Sequence, residues 1–112
     1  MPRRHAFLTA VLLAIIGTPV KAADALTCAV YYRMQVGSLK SRDLEVMTAT
    51  PEAKMQQLMT VARRQFDSDF NTAWAAKQAE MTDIINRNYE NFTLLRAEHH
   101  GDCEALAASL DS

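Results

Sequence analysis

The sequence predicts an all-α fold: a small helical bundle of about three helices plus a short C-terminal helix, clasped by one disulfide. Apolar residues recur at steps of three and four over most of the chain, as they do on one face of a helix. No stretch alternates apolar and polar residues in the manner of a half-buried strand. Two cysteines, Cys28 and Cys103, stand near opposite ends of the part that follows an N-terminal leader.

That leader, Met1 to Ala22, has the layout of a secretory signal peptide. Arg3 and Arg4 form a positive start, and Ala6 to Ile16 form an apolar run of about eleven residues, broken only by Thr9. Gly17 and Pro19 follow, and Val20-Lys21-Ala22 places small residues where a signal peptidase requires them. The run is far shorter than the roughly 20 apolar residues of a membrane span, so the processed chain is not expected to be an integral membrane protein. Residues 23–112 then form a single helical domain, exported to the periplasm or the exterior.

Cleavage removes Arg3, Arg4 and Lys21 from the 12 basic residues and none of the 13 acidic ones, leaving a net charge of about −4. Nucleic acid and anionic membrane both demand a basic face, which this balance argues against. A domain of this size has a thin core and gains much from a covalent staple. An even cysteine count in an oxidising compartment reads as one Cys28–Cys103 bridge. Closing so long a loop is worth roughly 4 kcal/mol in the chain-entropy picture.

The first helix is expected from Asp24 to Val36, with Gly37-Ser38 as its stop and residues 38–50 as a connector that tucks Leu44 and Met47 inward. The second starts at Thr50, an N-cap, followed by Pro51 and Glu52. Met55, Leu58, Met59, Ala62 and Phe66 line its apolar stripe. Asp67-Ser68-Asp69 groups three poor helix formers and predicts a bend. The third helix is expected from Phe70 to His100, with a seam of Trp74, Gln78, Met81, Ile85, Asn88, Phe92, Leu95 and His99 in steps of four and three. Gly101 is read as its stop, with a last short helix beyond. A Cys28–Cys103 bridge makes the first and third helices antiparallel. The first and second are then parallel, and the connector returns along the bundle over at most ~40 Å.

Chemistry-bearing clusters are few. His99 and His100 supply imidazoles, and Met55 and Met59 share a helix face and supply thioethers, so these four are the candidate zinc or copper ligands. Adjacent histidines on a helix point about 100° apart and serve poorly as a pair on one ion; the alternative is a charge at a helix C-terminus. Asn88, on the seam, is read as setting register or a homodimer. Tyr31, Arg33, Arg87, Asn88 and Tyr89 have the aromatic-plus-arginine composition of an interaction surface, with Tyr32 turned inward and Tyr31 and Arg33 outward. No catalytic constellation and no cofactor signature stands out. The expected function is therefore that of a non-enzymatic interaction or envelope-associated protein binding a protein or envelope component. The alternative is a small ligand or metal binder.

Processing after Ala22 has a direct check. The intact mass of exported protein should correspond to a chain beginning at Ala23; a chain retaining Met1 would remove the basis for the export reading.

Overall fold

The computed structural model describes residues 18–111, with side chains from Ala25 onward. Residues 1–17 of the expected leader lie outside the described residues. Helix α1 spans Thr18–Ser41, α2 Ala49–Phe66, α3 Phe70–Ile84 and α4 Thr93–Leu110, with 3₁₀ turns at Glu45–Met47, Asp67–Asp69 and Tyr89–Asn91. No strand occurs among the described residues. The all-α class and the Cys28–Cys103 bridge, with a Cα–Cα distance of 5.3 Å, are as the sequence predicts.

The helix ends differ from expectation, and for one physical reason. Gly37 and Gly101 do not stop helices; each lies inside one, in ordinary helical conformation. The stops are made by Asp43 and Asn86, whose φ angles of 59° and 55° are left-handed. Around Asp43, the amide of Leu44 bonds back to Leu39 O at 2.9 Å and that of Asp43 to Lys40 O at 3.1 Å. Around Asn86, Arg87 N bonds to Thr82 O at 2.9 Å and Asn86 N to Asp83 O at 3.0 Å. Both are the paired reversed bonds of a Schellman ending, in which Asn and Asp are the side chains that best tolerate glycine's place.

The expected third helix is thus divided near Asn86 and not at Gly101. Asn88 consequently leaves the seam. It is exposed and extended, and its Oδ1 accepts the Glu90 amide at 2.9 Å to cap the following turn. Within the chain Asn88 is therefore not buried between helices, as a register role on the seam requires. Asn91 completes the corner by donating from Nδ2 to Ile85 O at 2.9 Å. Helix α2 starts earlier than expected, with Thr48 and not Thr50 at its cap position. The Thr48 hydroxyl donates to Glu45 O, and its carbonyl accepts from Glu52. Pro51 still falls in the first turn, where no intrahelical N–H bond is needed.

Because α1 continues to Ser41, the connector to α2 is short, and short connections join antiparallel neighbours. Leu26 of α1 packs with Ala62 of α2 and Phe70 of α3. Further along α1, the Tyr32 ring lies 5.7 Å from Lys54 Nζ. The two helices therefore run antiparallel, which corrects the parallel arrangement inferred from a longer connector. Asp67–Asp69 forms the expected turn, stabilised by Arg63 stacked 4.8 Å from the Phe70 ring centre. Helix α3 then runs beside α1 in the same sense, from Leu26 and Phe70 to Met34 and Ile85. Helix α4 returns, pairing Tyr31 with Phe92 and Cys28 with Cys103. Four helices alternate in direction, with both corners, α1–α2 and α3–α4, at one end.

The bridge ties α1 to the last helix across a sequence separation of 75 residues. Reduction, or Cys28→Ser, should lower the unfolding free energy by roughly 2–5 kcal/mol. Urea denaturation with and without reductant measures it, and coincident curves would show that the clasp contributes nothing.

Candidate functional site

Apolar side chains left in water are the first guide to a site. Among the described residues, the five large ones that helix packing leaves exposed are Val46 (91%), Met47 (55%), Leu94 (54%), Ile84 (38%) and Tyr89 (37%). Val46 and Met47 lie in the α1–α2 corner, and the other three lie in or beside the α3–α4 corner. All five therefore occupy the same end of the bundle. Leu44 is only half-buried and Met47 faces solvent, so the connector does not tuck both residues inward as expected.

Tyr89 organises this end. Its ring lies where a Cβ on Gly37 would stand, so α1 can accept it only because residue 37 has no side chain. On one side of Tyr89 is a cleft of about 500 Å³ between α1 and α3, floored by Met34, Ala75, Ala79 and Ile85 and edged by Asp83 and Arg87. On the other is a cleft of about 370 Å³ between the two corners, with Leu39, Met47 and Phe92 beside Arg42 and Arg96. None of the ion pairs among the described residues involves Arg42, Arg87 or Arg96.

Of the expected interaction residues, Arg87, Asn88 and Tyr89 meet at this end and are exposed. Tyr31 does not join them. It is fully buried, because α1 is covered on the side that a single apolar stripe would leave open. Arg33 is exposed on α1 but lines neither cleft. Arg42, Val46, Leu94 and Arg96 escaped sequence reasoning. The available signal was Val46-Met47, two adjacent apolar residues of which a short connector can bury at most one face.

The expected metal ligands occupy other places. Met55 is buried in the main core, and Met59 packs partly buried against it. His99 and His100 sit in the middle of α4 and not at a helix end, since α4 continues to Leu110, so the C-terminal charge role does not apply. Both rings flank Tyr31, with centroids 6.1 Å and 5.8 Å from its ring. His100 Nδ1 lies 2.7 Å from the Tyr31 hydroxyl. No group of three or more His, Cys, Asp or Glu among the described residues is arranged to hold a metal ion.

Tyr31 and Tyr32 carry two hydroxyls into the core, and each hydroxyl has a partner on α4. The Tyr32 hydroxyl donates to Glu104 Oε2 at 2.5 Å, and Lys54 Nζ reaches both Glu104 oxygens at 2.8 Å. Burial pushes the Tyr31 hydroxyl up to about 12. Burial, reinforced by the hydrogen bond to Glu104 and its charge, pushes Tyr32 up as well. Partial burial alone would raise Glu104, but hydrogen bonds from Lys54 and Tyr32 and the nearby positive charge outweigh it, holding the carboxyl below its ordinary value. This network fastens α1 and α2 to α4; it faces neither cleft.

Comparison of the chain with protein-family models, with curated proteins and with solved structures gives no match in any of the three. Its functional reading therefore rests on geometry.

The network fixes the pH limits of the fold. The folded Glu104 value lies below 4.5, so its stabilisation is complete above that pH and is lost as pH falls through the folded value. Tyr31 shifts oppositely, from 10.0 to about 12, so stability of the order of 2 kcal/mol disappears as pH rises through that interval. Urea titrations across pH should show both losses, and Lys54→Met should shrink the acid one. Phenolate absorbance from Tyr31 and Tyr32 should appear together with unfolding; full tyrosine ionisation in a folded chain would contradict their burial.

Proposed function

We propose that this chain is an exported, non-enzymatic interaction protein that docks a polypeptide partner of the cell envelope through the corner end of its bundle. One observation carries the reading. Among the described residues, all five exposed large apolar side chains lie at that end, together with three arginines, Arg42, Arg87 and Arg96, that take part in none of the ion pairs found there. Aromatic, methionine and arginine side chains are enriched at interface centres, and this end carries them beside the exposed carboxylates Asp43, Glu45, Asp83 and Glu90. Export is supported by the leader pattern of Met1 to Ala22 and by a disulfide that persists only where thiols are not kept reduced. No helix among the described residues is long and apolar enough to cross a membrane.

A photocrosslinking side chain placed at Val46 or Leu94 in the cell should give the same discrete adduct from both positions. The exposed Gln56, midway along α2, serves as the control. Adducts of one mass at both corner positions and none at Gln56 are expected. Absence of adducts at the corners, or equal adducts at Gln56, would overturn the docking reading.

A further inference from the structure

The cleft between the two corners contains a group that packing does not account for. Ser38 is 2% exposed and lines this cleft, yet no hydrogen bond among the described residues uses its hydroxyl. Only its carbonyl is engaged, by Ser41 at 2.7 Å. A buried hydroxyl without a partner is costly, typically 1–3 kcal/mol, which points to a polar group that completes it from the cleft side.

The surroundings specify the sign of that group. Arg42 and Arg96 line the same cleft and have no carboxylate partner among the described ion pairs. Thr93, the first residue of α4, lies there too, and no side chain caps that helix and no acidic residue occupies its first turn. The start of α4 thus presents its amide donors and positive dipole end without an internal anion. Glu90 is the one acidic residue on the rim, leaving the cleft net positive in a chain that is net negative overall. The rest of the wall is mostly apolar: Leu39, Met47, Pro51 and Phe92, with Gln35 as its one uncharged amide and Tyr89 at the edge. A volume of about 370 Å³ is within the range of small-molecule sites.

We infer that this cleft binds an amphipathic monocarboxylate, with its carboxylate between Arg42, Arg96, the Ser38 hydroxyl and the start of α4, and its hydrocarbon part along Leu39, Met47 and Phe92. Arginine forks and helix amides both match a carboxylate, and charge-assisted bonds of this kind are the strong ones. The site goes beyond the docking reading and does not depend on it. The crosslinking positions Val46 and Leu94 line neither cleft, and a small ligand can be measured on the purified chain alone.

Decanoate is a suitable probe, titrated into the processed, disulfide-bonded chain by NMR and calorimetry. Amide shifts are expected at Ser38, Arg42, Tyr89 and Thr93 and not at Ala75 or Thr82 of the neighbouring cleft. Decanol, which lacks the charge, and inorganic phosphate, which lacks the chain, should each bind at least about tenfold more weakly. Arg42→Gln with Arg96→Gln, both exposed positions, should weaken decanoate about tenfold or more while leaving the unfolding midpoint in place. Ser38→Ala should weaken it severalfold. Equal affinity for decanol and decanoate would show an unspecific apolar surface, and phosphate binding as tightly as decanoate would show a bare anion site. Either result, or shifts centred on Ala75 and Thr82, would overturn the inference.

Discussion

Between Ala25 and Leu39 helix α1 leaves only Arg33 exposed, with Thr27, Gln35 and Gly37 half-buried. A helix apolar on nearly all sides cannot rest against one neighbour; it has to be surrounded. The other three helices do this, and each needs only one apolar stripe: Met55, Leu58 and Ala62 on α2, Phe70 and Met81 on α3, Leu95, Cys103 and Ala107 on α4. The alternating directions of the bundle, its short corners and the position of its disulfide all suit packing three helices with one apolar stripe each around one helix that is buried on nearly every side.

Such a core carries its own hazard, since Tyr31 and Tyr32 take two hydroxyls inside with them. An unmet buried hydroxyl would cancel much of what the rings contribute. The solution is two donor–acceptor contacts to α4, at His100 and Glu104, the second balanced by Lys54 from α2. His100 and Glu104 stand one turn apart on α4, so both hydroxyls are met from a single face of that helix. The same contacts hold α1, α2 and α4 together near the Cys28–Cys103 bridge, giving polar specificity where dispersion alone would permit sliding.

Much of this was legible in the residues. The helical class, the bridge and the turn at Asp67–Asp69 could be read directly from spacing and residue type. The misreadings share two causes. Amphipathic periodicity looks for one stripe, and a surrounded helix has none, so Tyr31 was placed outside when it lies fully buried. Glycine was read as punctuation, yet Gly37 is where another side chain packs, while Asp43 and Asn86 end helices with positive φ. Asn88 reads as a seam residue of one long helix because the seam keeps its step of four and three across the corner, where Asn86 and Asn91 stand beside it. Their actual work is to end one helix, cap a turn and tie that turn back to Ile85. The clefts were not legible, since Arg42 and Arg96 are far apart in sequence and meet only after both corners are brought to one end.

The bridge also decides how the molecule bears load. Cys28 and Cys103 close a covalent ring that contains the whole of α2 and α3, and the two Cα atoms at its neck are 5.3 Å apart. Tension applied between a point before Cys28 and a point after Cys103 passes across that neck and bypasses the ring. The corner end, with Tyr89 and both clefts, lies on the unloaded side. A chain held at either terminus could therefore be pulled taut while its exposed end kept its shape, the mechanics of a snap hook rather than a spring.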